Sequence, residues 1–288
     1  MTGSPQGAVK LAEQSDQLVP ALFQLIGKEK SLATPALVTL VNLAQEPVVQ
    51  NNLLSLKAPA RCMDYLKEKT CPGNENLLIM LLANLTAAEE GARQLLQIGQ
   101  GAIEGLNLAI LLGYFLAPFQ GEDAYEHVAS ILPNATVFKE GRKALLQPGR
   151  GTLQALASQL ESKNSLRREG CAGAIKNCCF SCDLDGTAEL IAEEDEALNK
   201  ILAVLCSRDK ADEAVRESIA EAVLCLAKSD TTRKKLWEIN AVEMLRKGYE
   251  EEEHPVICEC LEGAAEFFLQ DGFNPEVTQI DETAADSK

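Results

Sequence analysis

Aromatic residues and histidines are scarce in this chain of 288 residues. Phe, Trp and Tyr together make up 5% of it, with one Trp, and there are two histidines. The few aromatics, and the lack of any sustained alternation of apolar with polar residues, argue against a β-sandwich or barrel. The apolar fraction of 46% is nevertheless that of a folded protein, and Leu, Ala and Val dominate it. This composition favours helices packed on helices.

Positive charge is also in short supply. Lys and Arg number 27 against 43 Asp and Glu, which gives a formal net charge of −16. Binding to a phosphate backbone needs a local excess of Lys and Arg, so this balance argues against nucleic-acid binding. It favours solubility, and partners whose surfaces are basic.

Long hydrophobic runs are absent, and the chain does not start with a basic segment followed by an apolar one. The longest nearly apolar run is 106–119, which is too short to span a bilayer and contains Asn107. We therefore expect no membrane association and no secretory route. Ten cysteines without a signal peptide indicate reduced thiols in a cytoplasmic protein, with the nucleus as a second location.

Catalytic motifs are missing as well. The sequence has no Gly-x-Ser-x-Gly and no phosphate loop ending in Gly-Lys-Ser/Thr, so we expect no catalytic residue, no cofactor and no enzyme activity. Cys178, Cys179 and Cys182 resemble part of a zinc cluster, but a structural site needs four ligands, and His127 and His254 are the only histidines. Cys178 and Cys182 share one helical face, which favours thiols packed in a core without a metal. An enzyme or metal-dependent regulator built on the three cysteines is the alternative.

The sequence does contain an internal repeat. Four segments align without gaps, and each has an apolar pair eleven and twelve residues after a marker position; they are 41–54, 83–96, 133–146 and 224–237, with a weaker fifth copy from 173. The markers are 42 to 50 residues apart, at Asn42, Asn84, Asn134, Asn177 and Cys225. This period and the apolar spacing predict an all-α, armadillo/HEAT-like helical-repeat solenoid, a superhelix of about five to six repeats.

The predicted repeat domain spans residues 1–272, and the polar, acidic residues 273–288 are predicted to form a disordered tail. Pro133 stands just before the third marker. A proline inside a helix removes one hydrogen bond at a cost of about 3 kcal/mol, so that helix is either kinked or restarts there. The apolar spacing also predicts one continuous helix over 187–206.

The most distinctive stretch is 166–180, LRREGCAGAIKNCCF, which resembles the signature of the Hgh family of armadillo-like eukaryotic proteins. Segments 131–146 and 215–253 support the match, which is strongest over 75–272. The resemblance implies an armadillo-like fold and a chaperone or adaptor that assists folding of translation elongation factor 2 with the cytosolic chaperone machinery. The chain departs from the family pattern in its shorter length and in an acidic insertion reduced to 183–212.

Two sets of polar residues are the candidate partner-binding positions: Asn42, Asn84, Asn134, Asn177, Arg142, Arg167, Arg168 and Lys176. The asparagines would form a ladder whose amides bind an extended peptide, or else each amide bonds to the neighbouring repeat. The cations would clamp acidic groups of a protein client, or else cap helix C-termini. Arg168 and Lys176, eight residues apart, fall on one helical face.

The acidic runs 193–196 and 250–253 are predicted to be solvated faces or loops, with contact to a basic client or chaperone as the alternative. An alternative function is open as well. A transport-receptor-like or general scaffold protein would bind extended peptides along the asparagine-lined groove, in place of one folding client.

Overall fold

The computed structural model describes residues 5–206, 212–270 and 272. Every regular element within these ranges is a helix, which confirms the all-α prediction. None of these helices is both long and apolar enough to cross a membrane. The chain divides into two compact units, Met1–Ala144 and Leu145–Lys288. The predicted tail, residues 273–288, lies outside the described residues.

The first unit contains ten α-helices in its described part, the last of which ends at the unit boundary. They are α1 (Pro5–Ala12), α2 (Ser15–Leu25), α3 (Lys30–Leu43), α4 (Pro47–Ser55), α5 (Ala58–Glu68), α6 (Glu75–Thr86), α7 (Glu89–Leu95), α8 (Leu106–Leu116), α9 (Val128–Thr136) and α10 (Lys139–Leu145). A short 3-10 helix, Gly101–Ile103, precedes α8.

The repeat predicted from the marker residues is visible in the packing of this unit. Helices α3, α6 and α9 contact one another in succession, and each carries its marker asparagine near its C-terminal end. The apolar pairs that follow the markers are buried, because their spacing places them on the inner face of the next helix. In this unit they are Leu53, Leu54, Leu95 and Leu96. Successive helices thus cover each other's apolar faces, as expected for a helical repeat.

Two glycines let the next helix pass close to the end of a marker helix. A Cβ atom on Gly91 would lie 1.9 Å from the Leu85 carbonyl oxygen, and one on Gly141 would lie 2.1 Å from the Ala135 oxygen. Both glycines stand at the same position of the repeat, eight residues after its first residue. A larger residue there would push α7 or α10 away from the preceding helix.

Helix α9 runs through Pro133, so the helix does not restart at this proline. The proline ring nitrogen has no proton to donate to the carbonyl one turn earlier. Near the end of the same helix, Thr136 Oγ1 donates to the Leu132 carbonyl at 2.8 Å. The tertiary packing of α9 against α6 and α7 offsets the lost backbone hydrogen bond.

The second unit contains nine further α-helices in its described part. They are α11 (Thr152–Gln159), α12 (Ser165–Phe180), α13 (Cys182–Asp185), α14 (Ala188–Ala192), α15 (Asp195–Cys206), α16 (Glu213–Lys228), α17 (Asp230–Glu238), α18 (Ala241–Glu250) and α19 (Pro255–Gln270). Helices α12, α16 and α19 pack in succession, and α11, α15 and α18 form a second row against them.

The prediction of one helix over 187–206 is wrong, because two helices, α14 and α15, occupy this segment. The break falls at Glu193 and Glu194, and Asp195 and Glu196 then form the first turn of α15. Negative side chains are favourable at a helix N-terminus, where backbone N–H groups and the helix dipole carry partial positive charge. The acidic run therefore starts a new helix.

The second acidic run, 250–253, joins α18 to α19 as a turn, but it is not wholly solvated. Glu252 forms a salt bridge with Arg216 of α16, and both side chains are buried. Glu252 Oε1 also accepts backbone N–H groups of Glu253 and His254, at 3.0 and 2.9 Å. The prediction of a solvated loop is therefore wrong for Glu252, whose carboxylate fixes this turn against α16.

Candidate functional site

The asparagine series lies near the C-terminal ends of the marker helices, at Asn42, Asn84, Asn134 and Asn177. Asn84 Nδ2 donates to the Val41 carbonyl of α3 at 2.9 Å, and Asn134 Nδ2 donates to Thr86 Oγ1 of α6 at 3.4 Å. Both amides reach back to the preceding marker helix, so they join successive repeats. The first and fourth asparagines are half-buried and also interact within the chain.

Arg142 binds the end of the preceding helix. Its Nη1 donates to the carbonyls of Thr136 and Val137, at 2.9 and 2.7 Å, where α9 ends. Arg233 stands at the same position of its repeat and donates to the Ala227 carbonyl of α16 at 2.8 Å. The last carbonyls of a helix have no partner within it, and a cation there is also favoured by the helix dipole. These arginines therefore act as helix caps.

The cations of α12 are engaged within the second unit. Arg167 is buried, and its Nη1 donates to Gln159 Oε1 at 3.1 Å. Arg168 pairs through Nε and Nη2 with Asp212, which precedes α16, while Lys176 Nζ lies 2.8 Å from Glu221 of that helix. Arg168 and Lys176 thus both reach α16.

The cysteines that resembled a metal cluster are buried thiols. Burial is the main reason that the pKa of Cys179 lies well above its ordinary value and that the pKa of Cys182 rises to about 11. Cys178, Cys182 and Cys225 add to the shift at Cys179, so the thiols of α12, α13 and α16 lie close together. Among the described residues, no group of three or more His, Cys, Asp or Glu side chains could hold a metal ion. At neutral pH such thiols are protonated and weakly nucleophilic.

Two large apolar side chains protrude where α12 meets α13. Phe180 is 72% exposed and Leu184 is 81% exposed, the two highest values for a large apolar residue in the part of the chain that the structure describes. Sequence reasoning missed them, because an apolar residue at a helix end ordinarily belongs to the core. A signal was present for Leu184, because the turn that follows Phe180 departs from the repeat pattern where this leucine stands.

The one-turn helix that presents Leu184 is held firmly. Its Cys182 is buried, and the Cys182 carbonyl accepts the Thr187 N–H at 2.8 Å. Ser229 Oγ donates to Asp183 Oδ1 at 2.6 Å, which ties α13 to the start of α17. Asp183 and Asp185 stand on either side of Leu184 in the chain, so two acidic residues flank the exposed leucine.

Comparison with known proteins identifies the chain. The model of a protein family described as a domain of unknown function, DUF383, matches residues 67–240. The chain belongs to this family. Among its relatives, "Protein HGH1 homolog" of Xenopus tropicalis is 25% identical over 295 residues, which cover 94% of this chain and 79% of that protein. The protein of the same name from Dictyostelium discoideum is 26% identical over 206 residues, 69% of this chain and 57% of that protein. The resemblance to the Hgh family is confirmed.

Solved structures with a similar fold include designed armadillo repeat proteins. A designed armadillo repeat protein in complex with the peptide (KR)4 aligns with a TM-score of 0.66 at 19% identity, covering 90% of this chain and 100% of that one. A computationally designed armadillo repeat protein for modular peptide recognition also aligns with a TM-score of 0.66, at 20% identity, over 87% and 99% of the two chains. The predicted armadillo-like repeat fold is therefore confirmed for this member of the DUF383 family.

Proposed function

We propose that this protein is a non-catalytic, protein-binding adaptor that assists the folding of translation elongation factor 2 together with cytosolic chaperones. Membership of the DUF383 family and similarity to the HGH1 homologues support this proposal. The observation that carries it is the exposed pair Phe180 and Leu184. Aromatic and apolar side chains that protrude from a rigid element typically form the centre of a protein interface.

The partner contact includes the acidic groups around this pair. Asp183 and Asp185 flank Leu184 in the sequence, and the whole chain carries a net charge of −16. A client segment with apolar side chains between basic ones would bury Phe180 and Leu184 with the former and neutralise the acidic groups with the latter. The asparagines and cations predicted from the sequence remain secondary contacts in this proposal, since Lys176 and its partner Glu221 are both partly exposed.

Purified components test the proposal. Replacement of Phe180 and Leu184 by Ala should weaken binding to purified translation elongation factor 2 by at least about tenfold in titration calorimetry, because two anchors are removed. The melting temperature should hardly change, because both side chains are solvent-exposed in the isolated protein.

Val137→Ala is the matched control, since Val137 is 66% exposed at the repeat position that Phe180 occupies in its own copy. It should bind like the unmodified protein. Unchanged affinity of the double variant would remove these residues from the interface, and no measurable binding by the unmodified protein would reject this client.

A second function is favoured by one observation. The fold matches a designed armadillo protein that binds the peptide (KR)4, and Asn42 and Asn177 are half-buried on marker helices. A scaffold or transport-receptor-like protein would use them to bind extended basic peptides. Tight binding of (KR)4 that is lost in Asn177→Ala, without binding of the elongation factor, would favour this alternative.

A further inference from the structure

The first unit contains a cleft that neither the repeat nor the proposed client contact uses. It has a volume of about 200 Å³. Its walls come from α5, α6, α8 and the connections before α6 and α9, and the lining residues are Tyr65, Leu66, Lys69, Cys71, Glu75, Leu78, Tyr114 and Tyr125. Three of the four tyrosines in the chain thus meet at one place.

The aromatic wall is well ordered by its own contacts. The rings of Tyr114 and Tyr125 stack with centroids 5.0 Å apart and an angle of 19° between their planes. The Tyr125 backbone N–H also donates to Asp123 Oδ1 at 3.1 Å, which fixes the connection that carries it. Both rings are half-buried, so each leaves part of its surface open to a ligand.

One carboxylate, that of Glu75, faces this wall. Burial raises the pKa of Tyr125 and of the Cys71 thiol, both of which line the cleft, and the Glu75 carboxylate adds to both shifts. Glu75 is half-buried, and no basic side chain of the described residues lies within salt-bridge distance of it. The Glu75 carboxylate therefore has no cationic partner among the described residues, and the cleft has room for one.

The combination identifies the class of ligand. Tyrosine rings attract cations through their electron-rich faces, and a planar guanidinium can stack on a ring while it hydrogen-bonds a carboxylate. Arg61 of α5 already makes a cation–ring contact in this unit, since its guanidinium carbon lies 4.4 Å from the centroid of the Phe23 ring. Its Nη2 also donates to the Tyr65 hydroxyl at 3.5 Å, so one wall residue of the cleft already contacts a guanidinium.

Among the described residues that line the cleft, Lys69 is the only cation, and its side chain is exposed at the C-terminal cap of α5. Its long stem lets the ammonium extend into water, away from an arriving cation. An anionic ligand would instead meet the Glu75 carboxylate and would have only Lys69 to pair with. The balance of charge within the cleft therefore favours a cation.

We propose that the cleft formed by Tyr65, Glu75, Tyr114 and Tyr125 binds the guanidinium of an arginine side chain of a partner protein. The Glu75 carboxylate accepts hydrogen bonds from the guanidinium, and the tyrosine rings cover its flat face. This site rests on the proposed function only in that the arginine belongs to a protein partner. It is independent of the exposed pair in the second unit.

A short peptide tests the site without any client. The probes are N-acetyl-Gly-Arg-Gly-amide and the same peptide with citrulline, which has arginine's shape but no charge. Titrations followed by nuclear magnetic resonance should show the arginine peptide shifting the ring signals of Tyr114 and Tyr125. The citrulline peptide should bind at least about tenfold more weakly, because it lacks the charge that the carboxylate recognises.

Glu75→Gln should weaken the arginine peptide by about tenfold, whereas Glu68→Gln should leave its affinity unchanged. Glu68 is the matched control, since it is an exposed carboxylate at the end of α5 that does not line the cleft. Equal binding of the two peptides, a preference for an acidic peptide, or no shift of the tyrosine signals would overturn the proposal. The peptide comparison uses the unmodified protein, so it holds even if a variant folds poorly.

Discussion

Several polar side chains near the helix ends of this protein form hydrogen bonds that hold the fold together. Arg142 and Arg233 bind the final carbonyls of the preceding helix, and Asn84 joins α6 to α3. The sequence left two interpretations for Arg142 and Asn84, and the hydrogen bonds agree with the structural one at both positions. The last carbonyls of a helix have no hydrogen-bond partner within it, so they bind a nearby side-chain donor as soon as the chain is folded. A partner protein can bind the same donor only when it is present.

The close packing at Gly91 predicts a clear effect of a single substitution on stability. Gly91→Ala should lower the free energy of unfolding by about 2 kcal/mol, because the added Cβ would lie 1.9 Å from the Leu85 carbonyl oxygen and force α7 outward. The matched control is Gly113→Ala in α8, where a Cβ would meet no atom within 4 Å. That variant should gain about 0.5 to 1 kcal/mol from reduced entropy of the unfolded chain. Urea denaturation measures both, and equal effects at the two sites would contradict the packing described for α7.

Among the helices, the short helix α13, which departs from the repeat, presents Leu184 of the proposed partner contact. Helix α13 has four residues and interrupts the repeat after Asn177, yet a buried cysteine and the bond from Ser229 to Asp183 hold it in place. The regular copies bury most of their large apolar residues against the next copy, although Val137 is 66% exposed. Leu184 lies in α13, outside the regular pattern, and is 81% exposed.

The connection between α18 and α19 allows a test at the same scale. Arg216→Met should lower the free energy of unfolding by about 3 kcal/mol, because it leaves the Glu252 carboxylate buried without its cation. Addition of Glu252→Gln should restore part of this loss, since an amide oxygen can still accept the backbone N–H groups but carries no charge. Thermal unfolding of the single and double variants measures the difference.

Arg246→Met is the control for this experiment. Arg246 forms ion pairs with Glu243 and Glu250 on the exposed face of α18, and its side chain is 57% exposed. Pairs of this kind contribute little, so the variant should change stability by less than about 0.5 kcal/mol. A double variant no more stable than Arg216→Met alone would show that the buried charge is not the cause.

For the whole molecule, the reactivity of the cysteines measures how well the fold protects its buried thiols from solvent. All ten are free thiols, and three are half-buried while the others are buried: Cys206, Cys225 and Cys258 form the accessible group. Burial raises the pKa of Cys62 and of Cys171 to about 12, so at neutral pH these groups are almost wholly protonated and slow to react.

A thiol-specific disulfide reagent at pH 7 should therefore modify at most three groups quickly in the native protein, and all ten after denaturation. The remaining groups should react only as fast as the protein opens, because reagent and hydroxide must reach a buried sulfur. Raising the pH toward 9 should speed the reaction of the half-buried thiols more than that of the buried ones, since a thiolate forms only as the pH approaches the pKa. Rapid modification of more than three groups would contradict this packing.

The sequence predicted the fold better than the site, and particular residues show why. The marker at Asn84 and the apolar pair Leu95 and Leu96 fall in α6 and at the end of α7 as the repeat required. Periodic burial is a local property that a linear pattern records. The sequence pattern predicted a partner contact for Arg168. It did not reveal the ion pair with Asp212, because the two residues lie 44 positions apart in the chain.

By itself, the sequence determined that this protein is built from stacked helices, carries a large negative charge and belongs with the Hgh proteins. The first two properties follow from residue type and spacing, which fix charge, helix formation and apolar faces. The link to the Hgh proteins came from the resemblance of the stretch 166–180 to that family's signature. Only the tertiary structure decided which polar groups already have partners, that Phe180 and Leu184 protrude, and that three tyrosines meet around Glu75. Such features depend on distances between distant parts of the chain, and those distances exist only after the helices have packed.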